Sequence, residues 1–340
     1  MKERKRTDRK NKVFSRNSCL AYPKPMILIG RFKPPISLPN GEKMKTMSRE
    51  AFLNRKKIGL ILRVYATDEA DIPKRIKMTT EFINRALGVV VDNHNPIRRI
   101  DVLVWADPHY KSDCCQTASA LNKAFKTLND KRVVVSEVKH GDLFCGLLNY
   151  GIALQSRDGV DYSIIASTEA YSYFTPETIT AMIDAACNNA RAIGVAINEL
   201  TQSILEGRIC NTFAMWHNLS LLTVGGFDLR AAKPSDERSA HYMRGWHKDK
   251  GDVFYHLAGV EEVIPLARLI DTLGPCIVPI LPQGEGVQEY IVPDPVAERE
   301  LWERHISKMG TKIERQTALL TSIGFDLSFL KGGIMEEYRQ

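Results

Sequence analysis

Carboxylates are the side chains of this sequence whose placement invites chemistry. Glu261 and Glu262 stand side by side where a helix is predicted to open, and Glu169 closes the polar run Ser167-Thr168-Glu169 behind an apolar strand. Such groups can take a proton or hold a cation, and a glutamate pair at a helix start is also what the helix dipole favours. The other reactive side chains make no pattern. Seven cysteines are scattered without a C-x-x-C spacing, and adjacent Cys114 and Cys115 do not form half of a zinc site, so they read as reduced thiols. His241, His247 and His256 share a polar stretch with no metal-ligand spacing and read as surface residues. No G-x-G-x-x-G follows the first strand and no G-x-x-x-x-G-K-S/T occurs anywhere, which argues against dinucleotide dehydrogenases and P-loop enzymes.

The elements that must position these groups alternate. Ile58–Val64 is an apolar run of strand length, and Ile72, Ile76, Ile83 and Leu87 mark one face of a helix after it. Ile100–Trp105, Arg132–Val138 and Asp161–Ala166 read as further strands. Between them fall helices marked by Ala118, Leu121, Phe125 and Leu128, and by Leu143, Leu147 and Leu154. This β-α-β-α-β-α-β order predicts an α/β fold with a mostly parallel sheet flanked by helices. Ligands of such sheets bind beyond the carboxyl ends of the strands, here the polar tips Arg63–Glu69, Ala106–Asp113, Lys139–Asp142 and Ser167–Tyr173.

Charge is divided unevenly. The chain has 340 residues, with 47 Lys+Arg against 40 Asp+Glu. Residues 1–57 hold 17 basic and 4 acidic side chains, and the remainder holds 30 and 36. The part able to fold is therefore mildly acidic, and nucleic acid is not the expected partner. The basic tail, with five prolines in residues 21–40, reads as mobile, and an anionic membrane surface is the partner it would suit. No apolar run reaches the roughly 18–20 residues of a membrane helix, and the start lacks the apolar core of a signal peptide. The expectation is a cytoplasmic protein, at most peripheral to a membrane.

Four segments resemble, in order, the GT-A fold nucleotide-sugar glycosyltransferases, particularly the family-2 group. Lys139-His-Gly-Asp-Leu-Phe-Cys-Gly-Leu-Leu-Asn-Tyr-Gly-Ile is similar to that family's G…A-L-N-x-G helix. Asp161-Tyr-Ser-Ile-Ile-Ala-Ser-Thr-Glu-Ala-Tyr-Ser-Tyr-Phe-Thr-Pro-Glu-Thr-Ile is similar to its strand, D-x-D motif and following helix start. Val224-Gly-Gly-Phe-Asp228 matches V-G-G-F-D, and Gly259-Val-Glu-Glu-Val-Ile-Pro-Leu-Ala-Arg-Leu resembles E-D-x-x-L-x-x-R-L. The resemblance covers about residues 58–283.

It implies transfer of a sugar from a nucleotide-diphosphate donor to a hydroxyl acceptor, with inversion; no Q-x-x-R-W motif occurs and no membrane helix is expected, which argues against a processive synthase. Ser167-Thr168-Glu169 stands at D-x-D, a degenerate version in which Glu169 keeps the charge of a metal ligand for Mn or Mg. Ser167 stands where an Asp contacts ribose or metal. By the same correspondence Glu262 is the base that deprotonates the acceptor, with Glu261 beside it as the second candidate. Arg63, Tyr65, Asp107 and Lys139 fall where nucleotide contacts are expected. Trp216, Gly225, Gly226 and Asp228 fall on the acceptor side; Trp216, within a loop Asn211–His217, would either stack on a sugar ring or fill the core, the reading favoured for it. The diphosphate needs either a cation near Glu169 or local bases such as Arg63, Lys139 and Arg268. The lost Asp at Ser167 keeps a second reading open, a catalytically inactive GT-A-like binding or scaffold protein.

Three regions follow: a basic tail at 1–57, the transferase-like domain at 58–283, and a helical extension at 284–340. Trp302, Ile306, Met309, Ile313 and Leu320 predict an amphipathic helix in that extension. It would pack on the domain or, alternatively, join a homo-oligomer.

Overall fold

Strand β1 (Ile58–Val64) is the centre from which the sheet is built, and its run IGLILRV explains why. Nearly every residue is apolar because helices cover both faces, as parallel sheets require. Leu60 and Leu62 point into one core, whereas Ile61 points into the other. The structure is a computed structural model that describes residues 46–65, 69–105, 119–121, 123–124, 130–138, 145–196, 200, 203, 206–231, 260–288, 294–300, 302–303, 306 and 312–339.

The other strands are β2 (Ile97–Trp105), β3 (Val133–Val138), β4 (Tyr162–Ser167), β5 (Ala192–Val195), β6 (Cys210–His217) and β7 (Ile277–Ile280). They form one sheet in the order β3-β2-β1-β4-β6-β5-β7. All pairings are parallel except those of β6, which runs antiparallel to β4 and to β5. The helices are α1 (Arg49–Arg55), α2 (Ile72–Gly88), α3 (Cys145–Arg157), α4 (Pro176–Cys187), α5 (Asn218–Thr223), α6 (Val263–Leu273), α7 (Lys312–Thr321) and α8 (Leu327–Gly332). Helices α1, α2 and α4 cover one face of the sheet, and α3, α6, α7 and α8 cover the other. Each fully buried leucine or isoleucine contributes about 1.5–3 kcal/mol.

Local chemistry sets the ends of these elements. The Thr175 side chain accepts from the Thr178 N–H and Pro176 occupies the first turn, so α4 starts at the predicted helix opening. Ser48 caps α1 in the same way, accepting from the Ala51 N–H. Beneath α3 lies a polar seam. Gln155 Nε2 donates to the Leu60 carbonyl (3.0 Å) and to Asp101 Oδ2 (2.8 Å), while Ser163 Oγ donates to Gln155 Oε1 (2.6 Å). Arg99 holds both oxygens of the fully buried Asp101 at 2.7 Å. A Cβ on Gly59 would lie 2.1 Å from Gln155 Oε1, so this strand position has room only for hydrogen.

Three expectations change. The segment Asn211–His217 is not a loop but the body of β6. Its residues Phe213, Ala214, Met215 and Trp216 are all buried, so the alternation that would have marked it as a strand is missing. Helix α1, inside the stretch read as tail, buries Phe52 and Leu53 and is tied to α4 by the Arg49–Asp184 pair at 2.8 Å. Residues Lys43–Gln340 form one compact unit. In the C-terminal segment, α7 buries Arg315, Gln316, Leu319 and Leu320, whereas Ile306 and Ile313, expected on the packed face, are exposed. Among the described residues no helix is long and apolar enough to cross a membrane.

Candidate active site

The chain order reverses beside β1. From β1 the chain passes through α2 to β2 on one side, while β4 lies on the other. Such a switch point opens a crevice at the carboxyl ends of the two strands, the usual ligand position in α/β sheets. Arg63 and Ser167 are register partners at that edge. Tyr65 follows Arg63 and is 37% exposed, and the turn Thr168–Tyr173 follows Ser167.

Glu169 lies at the start of that turn, with its side chain 54% exposed. Its Oε1 accepts from Arg75 Nη1 at 2.5 Å, and its Oε2 accepts from Ser167 Oγ. Arg75 rises from the first turn of α2, where Nε donates to Asp71 Oδ2 at 2.9 Å, and its guanidinium lies over the Tyr65 ring, 5.2 Å from the centroid. Burial raises the Glu169 pKa, but the hydrogen bonds from Ser167, its own backbone N–H and Arg75 outweigh it and hold the carboxyl below its ordinary value. Both oxygens of the one carboxylate at the D-x-D position are thus occupied by protein donors. Among the described residues no three His, Cys, Asp or Glu side chains converge to hold a metal. A divalent ion on Glu169 does not fit this arrangement.

The glutamate pair divides. Glu261 and Glu262 precede α6 and are 8% and 2% exposed. Glu262 lies with Oε1 3.8 Å from Arg208 Nη1, and burial raises its pKa against the pull of Lys312 and Arg208. Arg208 is itself 2% exposed and bonded to Glu206. Arg315 of α7, also buried, is held in the field of both glutamates. Glu261 instead acts on Arg63: burial lowers the pKa of that enclosed guanidinium, and Glu261 is the foremost charge opposing the shift, with Glu169 a lesser one. Glu261 thus acts on both Arg63 at the strand edge and Arg315 of the C-terminal helix, and Glu262 lies against Arg208.

The V-G-G-F-D turn is built from two other motifs. Gly225 and Gly226 have φ of +92° and +70°, and a Cβ on Gly226 would lie 2.5 Å from Asn149 Oδ1. Asn149 Nδ2 donates to the Phe227 carbonyl and Asn149 Oδ1 accepts from the Phe227 N–H, both at 2.8 Å. Arg268 of α6 donates to the Val224 carbonyl and to Asp228 Oδ2, both at 3.3 Å. Trp216 fills the core and is not an acceptor platform. It is fully buried, packs edge-on to Phe227 at 5.2 Å, and donates from Nε1 to Asn211 Oδ1 at 3.3 Å. A strand position covered on both sides leaves no ring face for a sugar.

The structure thus brings together Arg63, Tyr65, Ser167 and Glu169, buries both Glu261 and Glu262 before α6, and packs Trp216 into the core. Asp107, Lys139, His241, His247, His256 and the basic tail before residue 46 lie outside the described residues. Arg75, Asn149 and Arg208 take their places only through tertiary contacts. Asn149 stood inside the quoted L-L-N-Y-G segment, whereas Arg75 showed only a four-residue spacing from Asp71, which any exposed helix has.

By sequence the chain matches no family model and no curated protein. By fold it is similar to mannosyltransferase PcManGT from Pyrobaculum calidifontis, solved in complex with GDP-Man and Mn2+. The TM-score is 0.50 at 14% identity, covering 82% of this chain and 68% of that one. A second similar structure is glucosyl-3-phosphoglycerate synthase from Mycobacterium tuberculosis, solved with Mn2+, uridine diphosphate and phosphoglyceric acid. There the TM-score is 0.44 at 14% identity, over 85% and 82% of the two chains. The mixed seven-stranded sheet with helices on both faces has the GT-A fold of the nucleotide-sugar glycosyltransferases.

Proposed function

We propose that the protein transfers a sugar from a nucleotide-diphosphate donor to a hydroxyl acceptor. The observation that carries this reading is the gathering of Arg63, Tyr65, Arg75, Ser167 and Glu169 at the β1–β4 switch point, the position where this fold accepts ligands. The GDP-Man held by the mannosyltransferase of the same fold supports the donor class.

Tyr65, half open at the end of β1, offers a face for the nucleoside. Of the glutamates, Glu261 takes the acceptor proton, because Glu262 lies against the buried Arg208 at 3.8 Å. Glu262, turned to Arg208 and Lys312, fixes the start of α6 and so positions its neighbour. The turn at Gly225–Asp228, pinned by Asn149 and Arg268, supports the acceptor side. Inversion in one displacement belongs to the same proposal.

A panel of uridine- and guanosine-diphosphate sugars, followed by thermal unfolding, tests it. A donor that binds the native state raises the unfolding temperature with concentration, and release of nucleoside diphosphate with an added hydroxyl acceptor completes the assay. Failure of every nucleotide sugar to shift unfolding would leave the non-catalytic scaffold reading in its place.

A further inference from the structure

The pairing at Glu169 has a consequence for how a diphosphate is held, on the premise that the crevice takes a nucleotide. We infer that this protein binds its nucleotide diphosphate without a divalent cation, with the Arg75 guanidinium standing where a metal on Glu169 would be. Four observations carry this. Both Glu169 oxygens are engaged, one by Arg75 Nη1 at 2.5 Å and one by Ser167 Oγ. Serine at 167 supplies a donor to that carboxylate and brings no second negative charge to the edge. Arg75 is held in place from two further sides, by Asp71 at 2.9 Å and by the Tyr65 ring at 5.2 Å. Its Nη2 donates to none of the described residues, so two N–H groups remain available to phosphate oxygens beside an already neutralised carboxylate.

The physical argument is one of competition. A bare Glu169 would repel the diphosphate, and a divalent ion would cure that only by displacing a guanidinium that Asp71 and Tyr65 keep at the same oxygen. Arginine is permanently charged and forms planar, two-point contacts with phosphate, so it can neutralise Glu169 and meet the ligand together. The arrangement removes the repulsion before any ligand arrives.

The test uses the full chain and titrates GDP and UDP calorimetrically, once in EDTA and once in manganese chloride, with free Mn2+ followed by its electron paramagnetic signal. The expected result is binding of at least one nucleotide with affinity unchanged within about threefold between the two conditions, and no Mn2+ taken up by the protein alone. Arg75→Gln should weaken binding in EDTA by about tenfold or more, and added Mn2+ should then restore part of it through the freed Glu169. Arg75→Lys, which keeps the charge and the packing stem, should lie between the two and serves if the glutamine variant does not fold. Binding of the wild-type chain that requires Mn2+ would overturn the inference while leaving the nucleotide site intact. Unchanged affinity of folded Arg75→Gln or Arg75→Lys in EDTA would also overturn it. Absence of binding under both conditions would overturn the proposed function itself, and the inference with it.

Discussion

Asn149 holds Phe227 by both ends of its side-chain amide, donating to the carbonyl and accepting from the N–H at 2.8 Å each. Seventy-eight residues separate them in sequence. This contact joins two motif segments and places the glycine turn against α3. Arg268 ties a third segment to the same turn through Val224 and Asp228.

Removing the amide leaves two backbone groups of the buried Phe227 without partners. Asn149→Ala should destabilise the protein by about 1–3 kcal/mol. Gly226→Ala should cost at least about 1 kcal/mol from its φ of +70° alone, before the clash with Asn149 Oδ1. The double variant should cost less than the sum, because Asn149→Ala removes the clashing atom. Urea unfolding of the three variants measures this, and strict additivity would show that the contact is incidental.

The two glutamates should separate by phenotype. Glu261→Gln is expected to lower turnover by about 10²–10⁴-fold while nucleotide binding holds, and to lower the unfolding midpoint as well, since Arg63 and Arg315 both lie in its field. Glu262→Gln, set among Arg208, Arg315 and Lys312, should shift the unfolding midpoint and change turnover less. Initial rates and urea midpoints for both decide it. Full turnover by Glu261→Gln would remove that residue from the mechanism.

Gln155 links β1, β2 and β4 from beneath α3. Gln155→Leu should cost about 2–3 kcal/mol, since Ser163, the Leu60 carbonyl and Asp101 each lose a partner in a dry layer. Gly59→Ala should be of similar size, because its Cβ would fall on the same amide. Calorimetric unfolding checks both; a neutral Gly59→Ala would mean that α3 shifts freely.

His217 supplies a pH dependence. Burial, then the charges of Arg191 and Lys56, lower its pKa from 6.5 to about 4. Its Nδ1 accepts from the Ser220 N–H at 3.3 Å and caps α5 in the neutral form. The unfolded chain therefore binds the extra proton between about pH 6.5 and 4, so stability falls as pH drops through that window. His217→Asn, an uncharged cap, should flatten this part of the stability curve relative to wild type. Equal slopes for the two proteins between those values would refute the assignment.

Much of the framework was legible along the chain. The run Ile58–Val64 and the opening of α4 at Thr175-Pro176 follow from local rules, burial on both sheet faces and capping. Strand β6 was not legible, because Phe213–Trp216 are buried together and show no period. The exposed Ile313 and the buried Arg315 of α7 reversed the apolar pattern because a buried arginine there is matched by carboxylates from elsewhere in the chain.

The candidate site divides along the same line. Sequence alone determined which residues could matter at Ser167, Glu169, the Glu261-Glu262 pair and Gly225-Gly226, since residue type and motif order are written in the chain. Tertiary structure decided what surrounds each one. It set Arg75 against Glu169 across 94 residues, put Glu262 against Arg208 and Glu261 in the field of both Arg63 and Arg315, and closed Trp216 into the sheet. The reason is physical: the state of a carboxylate is fixed by the charges and burial around it, and those come from segments that meet only when the sheet is assembled.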